Sequence, residues 1–319
     1  MRSSRSRFTM ATLACGIVVL FAASSPAFAQ LPSQVVIFGD SLSDPGNGFA
    51  FLKTSATPPD YGLSPLLVPS SPYATGGHHL SNGSTWIEQL GGSLADQRNV
   101  LPAFVGSNPF AMNFALGSAR ARNIGLDPGT PSLSFEVAAF LQKTGGQVPP
   151  DALYVIQIGG NDVADAVATG DPVQALAILQ AAAQAVRINI SLLSSLGAQH
   201  FLVWNVPDAG FTPAARLSGT QAEAHLATQT FNALLAAELT PLILSGVDII
   251  GFDANALVTD IVNNPSTYGL TNVVDACVTP NVPPFTCQTP DQYLFWDGIH
   301  PTTAVHAIVA QAIAILLNI

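Results

Sequence analysis

Charge is scarce in this 319-residue chain, where only 9% of residues are Asp, Glu, Lys or Arg, against roughly 25% in an ordinary soluble protein. Ten basic residues stand against twenty acidic ones, a net charge of −10. So few cations argue against a nucleic-acid partner, which selects faces rich in Lys and Arg. They also argue against docking on an anionic bilayer through basic charge. Three cysteines cannot build a four-thiolate zinc site, and no His/Cys spacing suggests another, so no metal is expected. Aromatic residues, at 8%, provide no obvious platform for stacking sugars. Apolar side chains are plentiful instead, at 48%, which excludes intrinsic disorder. The length suits one large α/β domain.

Residues 1–29 read as an address. Arg2, Arg5 and Arg7 form a basic start, an apolar run follows from about Phe8 to Ala23, and Ala27-Phe28-Ala29 offers small residues before Gln30. This is the layout of a secretory signal peptide, too short and wrongly flanked for a membrane anchor. The expectation is a protein secreted to an extracellular or periplasmic space, with residues 30–319 as one domain and no stable membrane insertion once the signal is removed. The mature chain would keep seven basic and twenty acidic residues, net −13, and two cysteines, Cys277 and Cys287. In an oxidising compartment this pair is expected to form one disulfide closing a short loop, two free thiols being the alternative. The chain stops flush with its last helix, so no outer-membrane barrel is expected to follow.

Beyond the leader, strand and helix patterns alternate. Short apolar runs at 34–38, 110–116, 152–158, 200–205 and 247–252 read as strands. Helices are predicted over 84–90, stopped by Gly91-Gly92, then over 132–144, 171–196, 220–239, 254–262 and 302–317, several with capping residues at their starts. Strands separated by helices imply a parallel sheet covered on both faces. Residues 45–83 are irregular and rich in Pro, Ser and Gly. They follow the first strand directly, so they are expected near its C-terminal end, where open parallel sheets bind ligands.

Four short blocks carry chemistry. Gly39-Asp40-Ser41-Leu42 ends the first strand, and a serine on such a turn can expose its Oγ above the sheet edge. Taken alone, it reads more simply as a helix cap. Asp297-Gly298-Ile299-His300-Pro301 precedes the last helix. A carboxylate three residues before a histidine on a tight turn can bond Nδ1 and leave Nε2 free to take a serine's proton. Pro301 disfavours helical geometry at His300, which therefore points from a loop. In Gly159-Gly160-Asn161-Asp162 a side-chain amide at a strand end can donate to a developing oxyanion, although Gly-Asn is also common turn chemistry. Asn113 to Ser118 ends a strand in a glycine, Gly117, whose N–H can approach a ligand closely. Together the blocks supply nucleophile, base, orienting acid and oxyanion donors, the set needed for acyl transfer.

These blocks resemble, in order, those of the GDSL (SGNH) lipase/esterase family, spanning Gly39 to Pro301. The Phe295-Trp296-Asp297 lead-in and the cysteine pair resemble its secreted lipase-like branch. The resemblance implies a three-layer α/β/α sandwich with a flavodoxin-like, five-stranded parallel sheet and no cofactor. It implies Ser41 as nucleophile, His300 as base and Asp297 as the residue orienting His300. The oxyanion hole would comprise the Ser41 N–H, the Asn161 amide and a second-block N–H. The family usually has paired glycines there, whereas Gly117 is followed by Ser118. Gly117 is assigned, with Ser118 the alternative. The rate is expected to fall below roughly pH 6, because a free imidazole titrates near 6.5 and the base must be neutral.

The implied activity is hydrolysis of carboxylic esters of lipids or short-to-medium acyl chains, with a small-molecule or lipid ester as substrate. A phospholipase or lipid acyltransferase would use the same acyl-enzyme. A non-catalytic surface protein would be expected to lose a block member, and none is lost. His78-His79 is read as polar loop, and His200, His225 and His306 as strand-edge or helix-surface residues. Phe49, Phe51, Phe110 and Phe114 are candidates for an acyl groove, with core packing an equal reading for the last two.

Overall fold

A computed structural model of the protein describes residues 32–48, 79–124, 131–279 and 286–319. The leader 1–29 and most of the irregular 45–83 segment, with His78, Phe49 and Phe51, lie outside the described residues.

Four strands form one parallel sheet in the order β1 (Val35–Gly39), β2 (Leu153–Gln157), β3 (His200–Trp204), β4 (Asp248–Phe252). Ile37 pairs with Val155, Val155 with Leu202 and Leu202 with Ile250, all parallel. The first two strands are buried on both faces, as in a sheet with helices above and below it. Alternate residues point to opposite faces. On one side Val36, Phe38, Tyr154, Ile156, Phe201 and Val203 pack beneath α2 (Leu133–Lys143), α3 (Gly160–Ala168), α4 (Pro172–Ser195) and α6 (Gln221–Leu244). On the other, Val35, Ile37, Leu153, Val155, Leu202 and Trp204 meet α1 (Trp86–Leu94), the start of α7 (Ala254–Asn263) and α8 (Thr303–Leu317). The result is the expected three-layer α/β/α arrangement.

The fifth strand is a correction in detail. Residues 112–116 run beside the free edge of β1, with Ile37 N–H donating to Met112 O and the amides of Phe114 and Leu116 donating to Ile37 O and Gly39 O. Only an isolated parallel bridge, Ile37 to Asn113, is completed. Asn113 diverts the ladder: its carbonyl accepts from Ala103 N–H and from Asn47 Nδ2, and its own amide reaches Ser43 O at 2.9 Å. The segment still holds the edge position of a flavodoxin-like order, as a polar clamp rather than a regular strand.

The predicted helices appear with shifted ends. The first is not stopped by Gly91-Gly92 but runs to Leu94. A side chain at Gly91 would stand 2.8 Å from Val100 Cγ1, so this glycine permits a close approach instead of ending the helix. A reciprocal Thr85/Glu88 capping box starts it. The fourth predicted helix continues past Pro241 to Leu244. Missed altogether were α3, whose Gly-Asn start reads as a turn, the short α5 (Pro213–Ser218), and a two-stranded pair, β5 (Asn272–Ala276) with β6 (Tyr293–Phe295). Cys277 and Cys287 are joined by a disulfide, with Cα atoms 5.5 Å apart. By length and composition α4 could cross a bilayer, but Leu179, Ala183, Val186 and Ile190 of this helix belong to the core.

Candidate active site

The turn that follows β1 is shaped by what it must avoid and what holds it. A side chain at Gly39 would lie 2.6 Å from the Gln157 carbonyl, so only glycine lets β1 and β2 stay paired to their ends. The Gly39 N–H donates to Glu136 Oε2 at 2.8 Å. Asp40 then turns inward and accepts from Leu42 N–H and from Gln157 Nε2. Ser41 is left half-buried at the sheet's C-terminal edge, and its N–H makes no hydrogen bond among the described residues.

The far end of the chain arrives at the same edge. Asp297 is fully buried and folds its own loop, Oδ1 accepting from the N–H groups of Ile299 and His300 at 2.8 and 2.7 Å. Its Oδ2 lies 2.8 Å from His300 Nδ1. His300 Nε2 lies 2.9 Å from Ser41 Oγ, across 259 residues of sequence. Ser81 Oγ donates to the Pro301 carbonyl and Thr303 N–H donates to Asn82 Oδ1, which fasten this loop to the segment before α1. The three residues expected as nucleophile, base and orienting acid are therefore one hydrogen-bonded chain.

Asn161 sits in the first turn of α3 and lines the same cavity as Ser41 and His300. One of its amide N–H bonds goes to Ala119 O at 2.8 Å, and no second acceptor is found among the described residues. Asp162 accepts from Ala121 N–H and Arg122, and Asp165 pairs with Arg120 and Arg122. These contacts pin the 118–122 turn against α3.

Gly117, the expected second-block donor, does not present a free N–H here: it donates to Asp44 Oδ2 at 2.7 Å. Asp44 uses its two oxygens to gather the amides of Gly46, Asn47 and Gly48 as well. The neighbouring Ser118 adopts φ +67°, a left-handed conformation that favours glycine. Its N–H has no hydrogen-bond partner among the described residues.

A group of buried carboxyls that the sequence did not reveal underlies the site. Burial pushes the Asp40 carboxyl up to about 6, and it raises Asp44 despite four amide donors. Glu136 is pushed well above the usual range, by burial first and then by the charges of Asp40 and Asp44. It bridges the two turns of the site, Oε2 accepting from Gly39 N–H and Oε1 from Leu116 N–H at 3.2 Å. A helix position facing a strand end is its only sequence signal.

The histidines also depart from expectation. His306 is not a surface residue: it is 2% exposed, lines the cavity and accepts the Trp86 N–H at Nδ1. Burial, then the neighbouring His79 and His300, lower it to about 3. His79 is buried rather than polar loop, with Nε2 2.8 Å from Glu88. Phe110 is exposed beneath the Arg98 guanidinium and Phe114 packs in the core, so neither lines the cavity. Among the described residues no group of three or more His, Cys, Asp or Glu side chains could hold a metal ion.

Comparison with known proteins places the chain in a family. Residues 35–313 match the GDSL-like Lipase/Acylhydrolase family. A protein of the trpE-trpG intergenic region of Pseudomonas putida is 31% identical across 96% of this chain, which covers 51% of that relative. The phosphatidylcholine-sterol acyltransferase of Aeromonas hydrophila is 26% identical, covering 95% of this chain and 94% of the relative. Esterase EstA of Pseudomonas aeruginosa is 28% identical over 98% of this chain and 51% of its own. The chain thus spans about half the length of two of these relatives and nearly all of the third. It belongs to the GDSL-like lipase/acylhydrolase family.

Proposed function

We propose that the protein is an exported serine esterase that hydrolyses carboxylic esters of lipids or other acyl chains through an acyl-enzyme on Ser41. The observation that carries this reading is the chain from Ser41 Oγ through His300 to Asp297, with separations of 2.9 and 2.8 Å. Ser41 Oγ attacks the ester carbonyl as its proton passes to His300 Nε2. The buried Asp297 carboxylate holds the ring in the tautomer that can accept this proton. The tetrahedral intermediate collapses, the C–O bond to the alcohol breaks, and His300 returns the proton to the leaving oxygen. Water then loses a proton to His300, attacks the acyl-Ser41 carbonyl and releases the acid, restoring Ser41.

The oxyanion is held by the Ser41 N–H, the free Asn161 amide proton and, in place of Gly117, the Ser118 N–H. The commitment of Gly117 to Asp44 and the uncommitted Ser118 amide support this substitution. Export is supported by the leader-like residues 1–29 and by a disulfide, which persists in oxidising compartments. Transfer of the acyl group to an alcohol instead of water is the second reading, favoured by the match to nearly the full length of a phosphatidylcholine-sterol acyltransferase.

The test is turnover of p-nitrophenyl esters, with and without an added alcohol acceptor. Wild type releases nitrophenol, Ser41→Ala does not, and Asn161→Ala loses about 10²–10³ in turnover, the usual effect of removing one oxyanion donor. Equal turnover by wild type and Ser41→Ala refutes the reading. Acyl product appearing on the alcohol selects the transferase branch.

A further inference from the structure

The cavity at Ser41 has a volume of about 600 Å³ and extends on two flanks of the nucleophile. One flank lies against α7 and α8, where Trp86, Trp204, Val305 and Val309 are buried in the core. The other runs along α3 toward the corner formed by the end of β3, α5 and the start of α6. The chemistry orients a substrate between them. His300 must face the leaving oxygen to protonate it, and it enters from the loop before α8. The alcohol therefore departs on the α8 flank, and the acyl chain extends away from His300, along α3.

The α3 flank is built to receive such a chain. The helix starts beside the carbonyl site with Asn161, and Ala164 and Ala168 follow at i+3 and i+7, on one face. Both are exposed alanines that line the cavity, and Val206, Ala209 and Ala215 add small apolar surface to the lining, with Asp208 and Thr212 as polar members. From Asn161 to Ala168 the helix rises about 10 Å, enough for an extended medium-length acyl chain. Val163, which also touches the cavity, and Ala166 anchor α3 in the core.

We propose that this groove is the acyl-chain site, that the preferred substrates carry medium-length acyl chains, and that Ala164 and Ala168 set the permitted length. This rests on the esterase reading above. A methylene moved from water into an apolar groove strengthens binding about fourfold at most, so wild-type kcat/KM on p-nitrophenyl esters rises stepwise from butyrate until the groove is filled.

The experiment is that chain-length series, from acetate to palmitate, on wild type, Ala164→Phe and Ala168→Phe. Ala164→Phe lowers the decanoate-to-butyrate ratio of kcat/KM at least tenfold. Ala168→Phe, one turn further from Ser41, lowers activity only on longer chains. The ratio is internal to each protein, so partial unfolding does not alter it. Ala181→Phe, at an exposed position of α4 away from the cavity, leaves the series unchanged. Unchanged ratios in both α3 variants overturn the proposal, as does a wild-type rate that falls from butyrate onward. Leu257→Phe, on the opposite flank, shortening the preferred chain in their place also overturns it. No ester turnover by wild type at all is a failure of the esterase reading itself.

Discussion

Asp40, the residue before Ser41, makes stability depend on pH in an unusual direction. Its carboxyl is fully buried and accepts two hydrogen bonds through Oδ1, from Leu42 N–H and Gln157 Nε2. No donor meets Oδ2. Asn fits the same space and its Oδ1 keeps both bonds, so Asp40→Asn removes the titrating group; the cost of burying the new amide N–H groups does not vary with pH and drops out of the comparison. The unfolded carboxyl titrates near 3.8 and the folded one near 6. Between those values the unfolded chain has released its proton while the folded protein retains it, so stability falls as pH rises. At about 1.4 kcal/mol per pH unit, wild type loses roughly 3 kcal/mol across this window that the variant does not lose. Glu136, raised in part by Asp40, relaxes in the variant and adds in the same direction. Urea unfolding at a series of pH values from 4 to 7.5 measures the difference. Asp40→Asn should gain on wild type by about 3 kcal/mol over that range, with most of the gain between pH 4 and 6.5. Parallel stability curves for the two proteins would refute the assignment of a buried, proton-retaining carboxyl.

Two further outcomes concern stability. Ser118→Gly relieves a left-handed residue at φ +67° and should stabilise the protein by about 0.5–1 kcal/mol in urea unfolding, the side-chain penalty being partly offset by the flexibility of unfolded glycine. Cys287→Ser opens a disulfide that closes a ten-residue separation, and loop-closure entropy sets the loss at about 2–3 kcal/mol, read as a lower unfolding midpoint.

The α/β alternation and the hydrogen-bonded chain of Ser41, His300 and Asp297 were legible because each has a local cause. Strands buried on both faces are continuous apolar runs, and Asp297-x-x-His300 fixes its own loop through bonds three residues apart. What was not legible depends on partners distant in sequence. Gly117 looks like a free donor until Asp44, 73 residues earlier, takes its N–H. Asn113 lies within a strand-like run, yet its side chain and carbonyl turn to Ser43, Asn47 and Ala103. Glu136 reads as the polar face of a helix until it meets two strand ends. His306 reads as surface until α1 covers it. Gly159-Gly160-Asn161 reads as a turn because the helix it begins is held by the Arg120 and Arg122 pairs, which local propensity does not contain.

The central claim is that Ser41 is the nucleophile activated by His300 and Asp297. The most direct measurement is the mass of the protein after exposure to a fluorophosphonate. One adduct per chain is expected, mapped to the peptide that carries Ser41, absent from Ser41→Ala and formed far more slowly in His300→Ala. Labelling at another residue, or equal labelling of Ser41→Ala, would contradict it.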